Sequence, residues 1–79
     1  MRGEEYEILR LFGILFGTQG NHSKAIEYFE RAVKVEPKNA MAHFNLSVAY
    51  QYNQDAVNSE KHRKIALSLD PEIESKNKR

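Results

Sequence analysis

Three histidines are the residues of this sequence whose side chains could most readily bind a metal ion or transfer a proton. His22, His43 and His62 are 21 and 19 residues apart. Histidine pairs that bind zinc from one helix face are typically separated by roughly three to five residues. Because no two of these histidines have such a spacing, we expect no metal site and no cofactor.

The other residue types that could act in catalysis, the acidic residues first among them, show no pattern of a catalytic site. Acidic residues are plentiful, and nothing in the sequence argues that any of them is buried in a catalytic cleft. Glu4, Glu5, Glu7, Glu27 and Glu30, for example, have the positions of ordinary solvated helix faces. The chain has no cysteine, no glycine-rich phosphate loop and no serine in a nucleophile-elbow pattern. We therefore expect that the protein is not an enzyme.

The charge balance excludes further classes of partner. Twelve Lys and Arg residues against 11 Asp and Glu give a net charge of +1, which provides no long-range field toward nucleic acid or acidic lipid. A basic bias near the C-terminus contains no aromatic residue that could stack on bases. It consists of Lys61, Arg63, Lys64, Lys76, Lys78 and Arg79. We expect neither nucleic acid nor membrane as a partner.

Apolar residues are concentrated between Ile8 and Phe16, but this segment does not have the features of a targeting signal. Acidic residues precede it and Arg10 interrupts it, whereas a secretory signal needs a basic flank and an unbroken apolar stretch. It is also shorter than the roughly 20 apolar residues that span a bilayer. Together with the absence of cysteine, this favours a cytoplasmic protein.

Helical spacing of apolar residues predicts four helices arranged in two pairs. We expect helices over 4–17, over 22–35, from the residue after Asn39 to Tyr52, and over 57–69, with the start of another after 71. The breaks are short and polar. Gly20 is expected to take a positive φ, and Asn21, Asn39 and Asp55 are expected to cap the helices that follow them. Helices joined so tightly must lie antiparallel.

The sequence that predicts the helix pair occurs twice, as two repeats of 34 residues. Three pairs of identical or similar residues are each separated by 34 positions: Phe16 and Tyr50, Ala32 and Ala66, and Pro37 and Pro71. A period of about 20 to 50 residues indicates stacked repeats, each of which buries one face against the next.

The first copy resembles the tetratricopeptide repeat family, whose pattern is W-x2-L-G-x2-Y, then A-x3-F, then P. The residues that match are Leu9, Phe12, Gly13, Phe16, Ala25, Phe29, Ala32 and Pro37. The resemblance implies an all-α fold of tandem antiparallel helix-turn-helix repeats, an α-solenoid, with a short C-terminal helix. We expect a single domain over 1–79, with repeats at 6–39 and 40–73 and a partial capping helix or tail at 74–79.

The second copy departs from the pattern inside its hairpin. Gln54 replaces the turn glycine, Ser59 replaces a small alanine and Arg63 replaces the inner aromatic residue. The second hairpin should therefore pack less well than the first. Arg63 must either lay its methylenes along apolar neighbours or meet a carboxylate that the sequence does not identify.

The resemblance also implies a function, because the first helix of each hairpin in this family lines a concave groove that binds a peptide or a helix. The residues placed on that surface are Glu7, Arg10, Leu11, Ile14, Met41, Phe44, Asn45, Val48, Gln51 and Tyr52. We expect a protein-interaction or scaffold module that binds a protein or peptide there. The alternative is a self-assembling structural unit, a homodimer or larger homo-oligomer, whose groove is filled by a partner copy.

Some members of the family grip a C-terminal carboxylate with Lys, Asn and Arg side chains on the same surface. Arg10, Asn45 and Arg79 stand at suitable positions, but Ile14 and Ser75 occupy positions where such a clamp would need an asparagine and a lysine. We therefore do not expect a working carboxylate clamp.

Overall fold

The computed structural model describes residues 2–76, which form five helices. In chain order these are α1 (Arg2–Thr18), α2 (His22–Val35), α3 (Ala40–Tyr52), α4 (Ala56–Leu69) and α5 (Ile73–Lys76). The predicted all-α class is confirmed, and the first four helices pack each against the next in the sequence. α5 is the short C-terminal helix that the resemblance implied, and residues 77–79 of the predicted capping segment lie outside the described part of the chain.

Side-chain caps and prolines set the ends of the helices. Asn21, Asn39 and Asp55 each accept a hydrogen bond from the backbone amide three residues further on, as the sequence predicted. Such a cap typically contributes about 1 kcal/mol. At the other end, α2 and α4 stop two residues before Pro37 and Pro71, because the residue preceding a proline disfavours the helical conformation.

The turns within the two hairpins have the same backbone geometry. Gly20 has φ 80°, and Gln54 at the equivalent position of the second hairpin has φ 63°. The backbone amide of the following residue then donates to a carbonyl five residues back, from Asn21 to Phe16 and from Asp55 to Tyr50, at 2.9 Å in both cases. This is the Schellman arrangement, in which a left-handed residue ends the helix.

The apolar core lies around α2, which packs against both α1 and α3. One buried cluster consists of Tyr6, Leu9, Ala32 and Ala42, and the other consists of Ala25, Phe29, Leu46 and Ala49. Gly13 allows α1 and α2 to approach closely, because a Cβ at this position would lie 2.5 Å from the ring of Phe29. The first hairpin is therefore held together by a glycine, small alanines and one large ring.

The interior of the second hairpin is polar by comparison. α2 buries Ala25, Phe29 and Ala32, whereas α4 buries Ser59 and Ala66. The Oγ atoms of Ser47 and Ser59 lie 3.3 Å apart across the hairpin. The interior of the second hairpin is therefore less apolar than that of the first.

Arg63 finds the carboxylate that the sequence did not identify. Its Nε donates to Oε2 of Glu74 in α5 at 2.6 Å, and its Nη1 lies 3.5 Å from Oε2 of Glu60. The short helix α5 is thereby tied to α4, and its Ile73 is buried.

Candidate functional site

A mainly apolar cleft lies where α1, α2 and α3 meet and encloses about 450 Å³. Its walls come from both repeats: Gly13, Ile14, Gly17, Thr18, His22, Ala25, Phe29, Asn45, Val48, Ala49 and Tyr52. Ligand pockets in proteins commonly enclose about 300 to 1,000 Å³. The cleft is therefore large enough to receive one or two side chains of a partner.

Four of the ten residues predicted for the groove line this cleft. Ile14 belongs to α1, and Asn45, Val48 and Tyr52 follow one stripe of α3. The Tyr52 side chain is 67% exposed, and its ring stacks on His22 of α2 with the centroids 5.5 Å apart. Asn45 supplies the cleft with an amide that can both donate and accept hydrogen bonds.

Sequence reasoning did not assign the other residues that line the cleft to the groove. They include Gly13 and Gly17 of α1 and Phe29 of α2. The two glycines are four residues apart and so share one helix face, which was visible in the sequence. The contribution of α2 had no signal, because it depends on how the two hairpins stack.

The other six predicted residues surround the cleft or lie apart from it. Met41 and Phe44 are half-buried, and Gln51 is exposed. Arg10 donates from Nε and Nη2 to Oε1 of Glu7, at 2.9 and 2.5 Å. Leu11, which was assigned to the groove, lines a separate depression on α1.

That separate depression belongs to a second apolar surface, which we call the outer face of α1. It is formed by four large residues that lie on one stripe of the helix: Ile8, Leu11, Phe12 and Leu15. Their exposed fractions are 54%, 55%, 43% and 47%. The buried side of α1 instead carries Tyr6, Leu9 and Gly13, so the most apolar stripe of this helix is turned to solvent.

Two of the histidines that are remote in the sequence meet inside the second hairpin. Nδ1 of His43 and Nδ1 of His62 are 3.1 Å apart, and Nε2 of His43 lies 2.8 Å from the carbonyl oxygen of Pro37. Because a carbonyl can only accept, Nε2 of His43 carries a proton, and its Nδ1 accepts from Nδ1 of His62. Sequence reasoning missed this pair because it compared positions along one helix.

The histidine pair lies beside a tyrosine that is held by a carboxylate. The Tyr50 ring stacks on His62, and its hydroxyl donates to Glu30 of α2. Burial, followed by the hydrogen bond to Glu30, raises the pKa of Tyr50 to about 12. Burial, followed by the proximity of His43 and Lys61, lowers the pKa of His62 below its ordinary value of 6.5.

These side chains do not assemble a metal site. Within residues 2–76 no group of three His, Cys, Asp or Glu side chains is close enough to hold a metal ion.

A carboxylate clamp lacks support as well, because the guanidinium of Arg10 is already bound to Glu7 and Arg79 lies outside the described residues. Over the same described range, no helix is long and apolar enough to span a bilayer.

The fold and the cleft are those of a helical-hairpin repeat protein. Two stacked hairpins together line one apolar cleft. The sequence model of the TPR repeat, the tetratricopeptide repeat, matches residues 16–54, from the end of α1 through α2 and α3 to the following turn. These residues therefore resemble a tetratricopeptide repeat, and the predicted resemblance is confirmed over them. No curated relative matches the chain. The family is in general a non-catalytic module for protein interactions.

Proposed function

We propose that this protein binds a peptide or a helix of a partner protein in the cleft between its two hairpins. The observation that carries this proposal is the apolar cleft of about 450 Å³ formed by both repeats, with Tyr52 largely exposed at its edge. An apolar concavity with a few polar groups is typical of a recognition site. Asn45 is the polar group that would fix the orientation of a bound backbone.

The apolar side chains of the cleft support a weak to moderate affinity. Burying a large apolar side chain completely contributes about 1.5 to 3 kcal/mol. Ile14, Val48 and Tyr52 are partly buried already, so they retain roughly half of this, about 2 to 5 kcal/mol together. A ligand side chain would add a similar amount, against an association cost of about 4 to 15 kcal/mol. The largest gain less the smallest cost leaves about 6 kcal/mol, so we expect dissociation constants of tens of micromolar or weaker.

The experiment is a selection of peptides of about 12 residues displayed on phage, followed by calorimetric titration of the enriched peptides. Val48→Glu places a charge in the cleft and should abolish binding, because the carboxylate would be buried without a partner. Val57→Glu is the matched control, since Val57 lies on α4 outside the cleft and is 80% exposed. Peptides that bind both variants equally well would contradict the proposal.

The same pair of variants tests whether a second copy of the chain fills the cleft instead. In that case Val48→Glu would lower the molar mass measured by light scattering, whereas Val57→Glu would leave it unchanged. We favour a separate partner, because the cleft is a local concavity and the described chain has another exposed apolar surface, on α1, that a second copy could use.

A further inference from the structure

The outer face of α1 is an apolar surface that the rest of the described chain covers only in part, at Phe12, whose ring stacks on Tyr28 of α2 with the centroids 5.3 Å apart. Ile8, Leu11, Phe12 and Leu15 are between 43% and 55% exposed, and together they line a shallow depression of about 350 Å³. Contiguous apolar patches of this kind usually mark an interaction site on a soluble protein. This surface is distinct from the cleft, and the two have no lining residue in common.

The second repeat shows what kind of structure such a face accepts. A shift of 34 residues relates Ile8 to Ala42, Phe12 to Leu46 and Leu15 to Ala49. These three counterparts are 1%, 1% and 5% exposed. They are buried in the core because α2 packs on that side of α3. The outer face of α1 therefore occupies the same position in the first repeat as the face of α3 on which α2 packs in the second.

The spacing of the outer face identifies the helix that fits it. Glu4, Ile8, Leu11, Leu15 and Thr18 follow intervals of four, three, four and three residues, which is the spacing of a two-stranded coiled-coil seam. Ile8 and Leu15 are equally distant from the midpoint between Leu11 and Phe12. A second α1 that runs antiparallel would place its Leu15 opposite Ile8, and each half of the seam would be repeated by symmetry.

The charges at the two ends of the seam favour the antiparallel direction. Glu4 and Glu5 are exposed at its beginning. At its other end Lys24 of α2 lies beside α1, with Nζ 5.9 Å from the centroid of the Phe16 ring. An antiparallel pair brings the carboxylates of each copy toward Lys24 of the other copy. A parallel pair would bring the carboxylates of both copies together, which is unfavourable.

Among residues 2–76, the opposite end of the molecule does not offer a matching apolar surface. The residues of α4 that correspond to Ile26 and Phe29 of α2 are Glu60 and Arg63. Arg63 is bound to Glu60 and to Glu74 of α5, so a charged network covers this end. Head-to-tail stacking would set the outer face of α1 against these charges. A symmetric contact between two outer faces avoids this.

We propose that the outer face of α1 is a self-association surface, on which a second copy of this chain packs its own α1 antiparallel. The dimer has two-fold symmetry. The cleft between the hairpins stays open in each copy, so self-association and partner binding use different surfaces.

The test measures molar mass by light scattering over about a hundredfold range of concentration, with helicity followed by circular dichroism. Ile8→Glu and Leu15→Glu each place two carboxylates in the seam of a dimer and should raise the dimer dissociation constant at least about tenfold. Both positions are about half exposed, so helicity should be retained. Val57→Glu on α4 makes the same chemical change outside the seam and should dimerise like the unmodified chain.

A charge reversal tests the direction of the helices. Lys24→Glu should weaken the dimer, and combining it with Glu4→Lys and Glu5→Lys should restore it. Lys38→Glu, in the exposed loop before α3, is the control and should have little effect. A monomer at every concentration would overturn the proposal. So would a dimer that Ile8→Glu leaves intact, or one that Val48→Glu in the cleft dissociates instead.

Discussion

The two hairpins have the same backbone plan but opposite interiors. In the first hairpin α2 packs on α1 through Leu9, Gly13, Ala25 and the ring of Phe29. In the second hairpin the equivalent positions are His43, Ser47, Ser59 and Arg63. These side chains instead form polar contacts: His43 with His62, Ser47 with Ser59, and Arg63 with Glu74.

The features common to both hairpins show what specifies the fold. Each has an asparagine or aspartate cap, a left-handed residue in its turn and a proline after its second helix. Ala32 and Ala66 are almost fully buried at the same position of each repeat. A polar interior is tolerated in the second hairpin because its buried polar groups have partners, which removes most of the cost of burying them.

Truncating the equivalent inner residues should give the largest difference between the hairpins. Phe29→Ala should cost about 3 to 5 kcal/mol, because a ring that is 7% exposed leaves a cavity. Arg63→Ala should cost about 1 kcal/mol or less, since the arginine side chain is 41% exposed and its ion pairs are screened by water. The measurement is the free energy of unfolding in urea.

Because Phe29→Ala could unfold so small a chain completely, a second pair of variants makes smaller changes at the same two positions. Phe29→Leu retains most of the apolar volume and should still cost more than Arg63→Leu, which loses the contact with Glu74 but gains apolar surface beside α5. Equal losses at positions 29 and 63 would contradict the comparison, because they would mean that the polar interior is as tightly packed as the apolar one.

Much of the fold followed from local features of the sequence. The bounds of α2, the three caps and the positive φ of Gly20 were all predicted correctly, because each depends on residues within one turn of helix. The partner of Arg63 was not predicted. Glu74 lies 11 residues further on, and its contact depends on how α5 folds back beside α4.

Exchanging the turn residues tests whether backbone strain in its turn destabilises the second hairpin but not the first. Gln54 has φ 63°, which is strained for a residue with a Cβ, whereas Gly20 adopts φ 80° without strain. Gln54→Gly should stabilise the chain and Gly20→Gln should destabilise it, each by about 1 kcal/mol, after allowing for the greater freedom of glycine in the unfolded chain.

The stability of these turn variants is measured by thermal unfolding and by urea titration. Asn53→Gly, one residue before Gln54 at a negative φ, is the control and should not stabilise, because glycine relieves no strain there. If Gln54→Gly lowered stability, the left-handed turn would not be a source of strain in the second hairpin.

The candidate site was less predictable than the fold. Ile14, Asn45, Val48 and Tyr52, which line the cleft, were placed on the groove surface through the resemblance to the tetratricopeptide family. The outer face of α1 was visible as an apolar stripe, but its exposure was not. Periodicity shows that side chains share a helix face, whereas burial depends on whether another helix packs on that face. On α1, α2 packs against Gly13 through Phe29 and reaches the outer face at Phe12, whose ring stacks on Tyr28.

The histidine pair should make the second hairpin sensitive to acid in a way that the first is not. His62 is faced by His43 and Tyr50 from α3, by Glu30 from α2 and by Lys61 from its own helix. Its pKa in the folded chain lies below the ordinary value of 6.5, so the unfolded chain binds more protons in this range. Stability is therefore complete above about pH 6.5 and falls as the pH drops toward the lowered pKa.

His62→Tyr places the residue of the first hairpin, Tyr28, at the equivalent position of the second. We expect this variant to lose less stability than the unmodified chain between pH 7.5 and pH 5.5, measured by urea titration at each pH. His22→Gln removes a histidine outside the pair and is the control. The effect should be the smallest of the three, since His62 is only partly buried and water reduces the cost of its charge. An identical pH dependence with and without His62 would show that the polar interior accepts a proton as readily as the unfolded chain does.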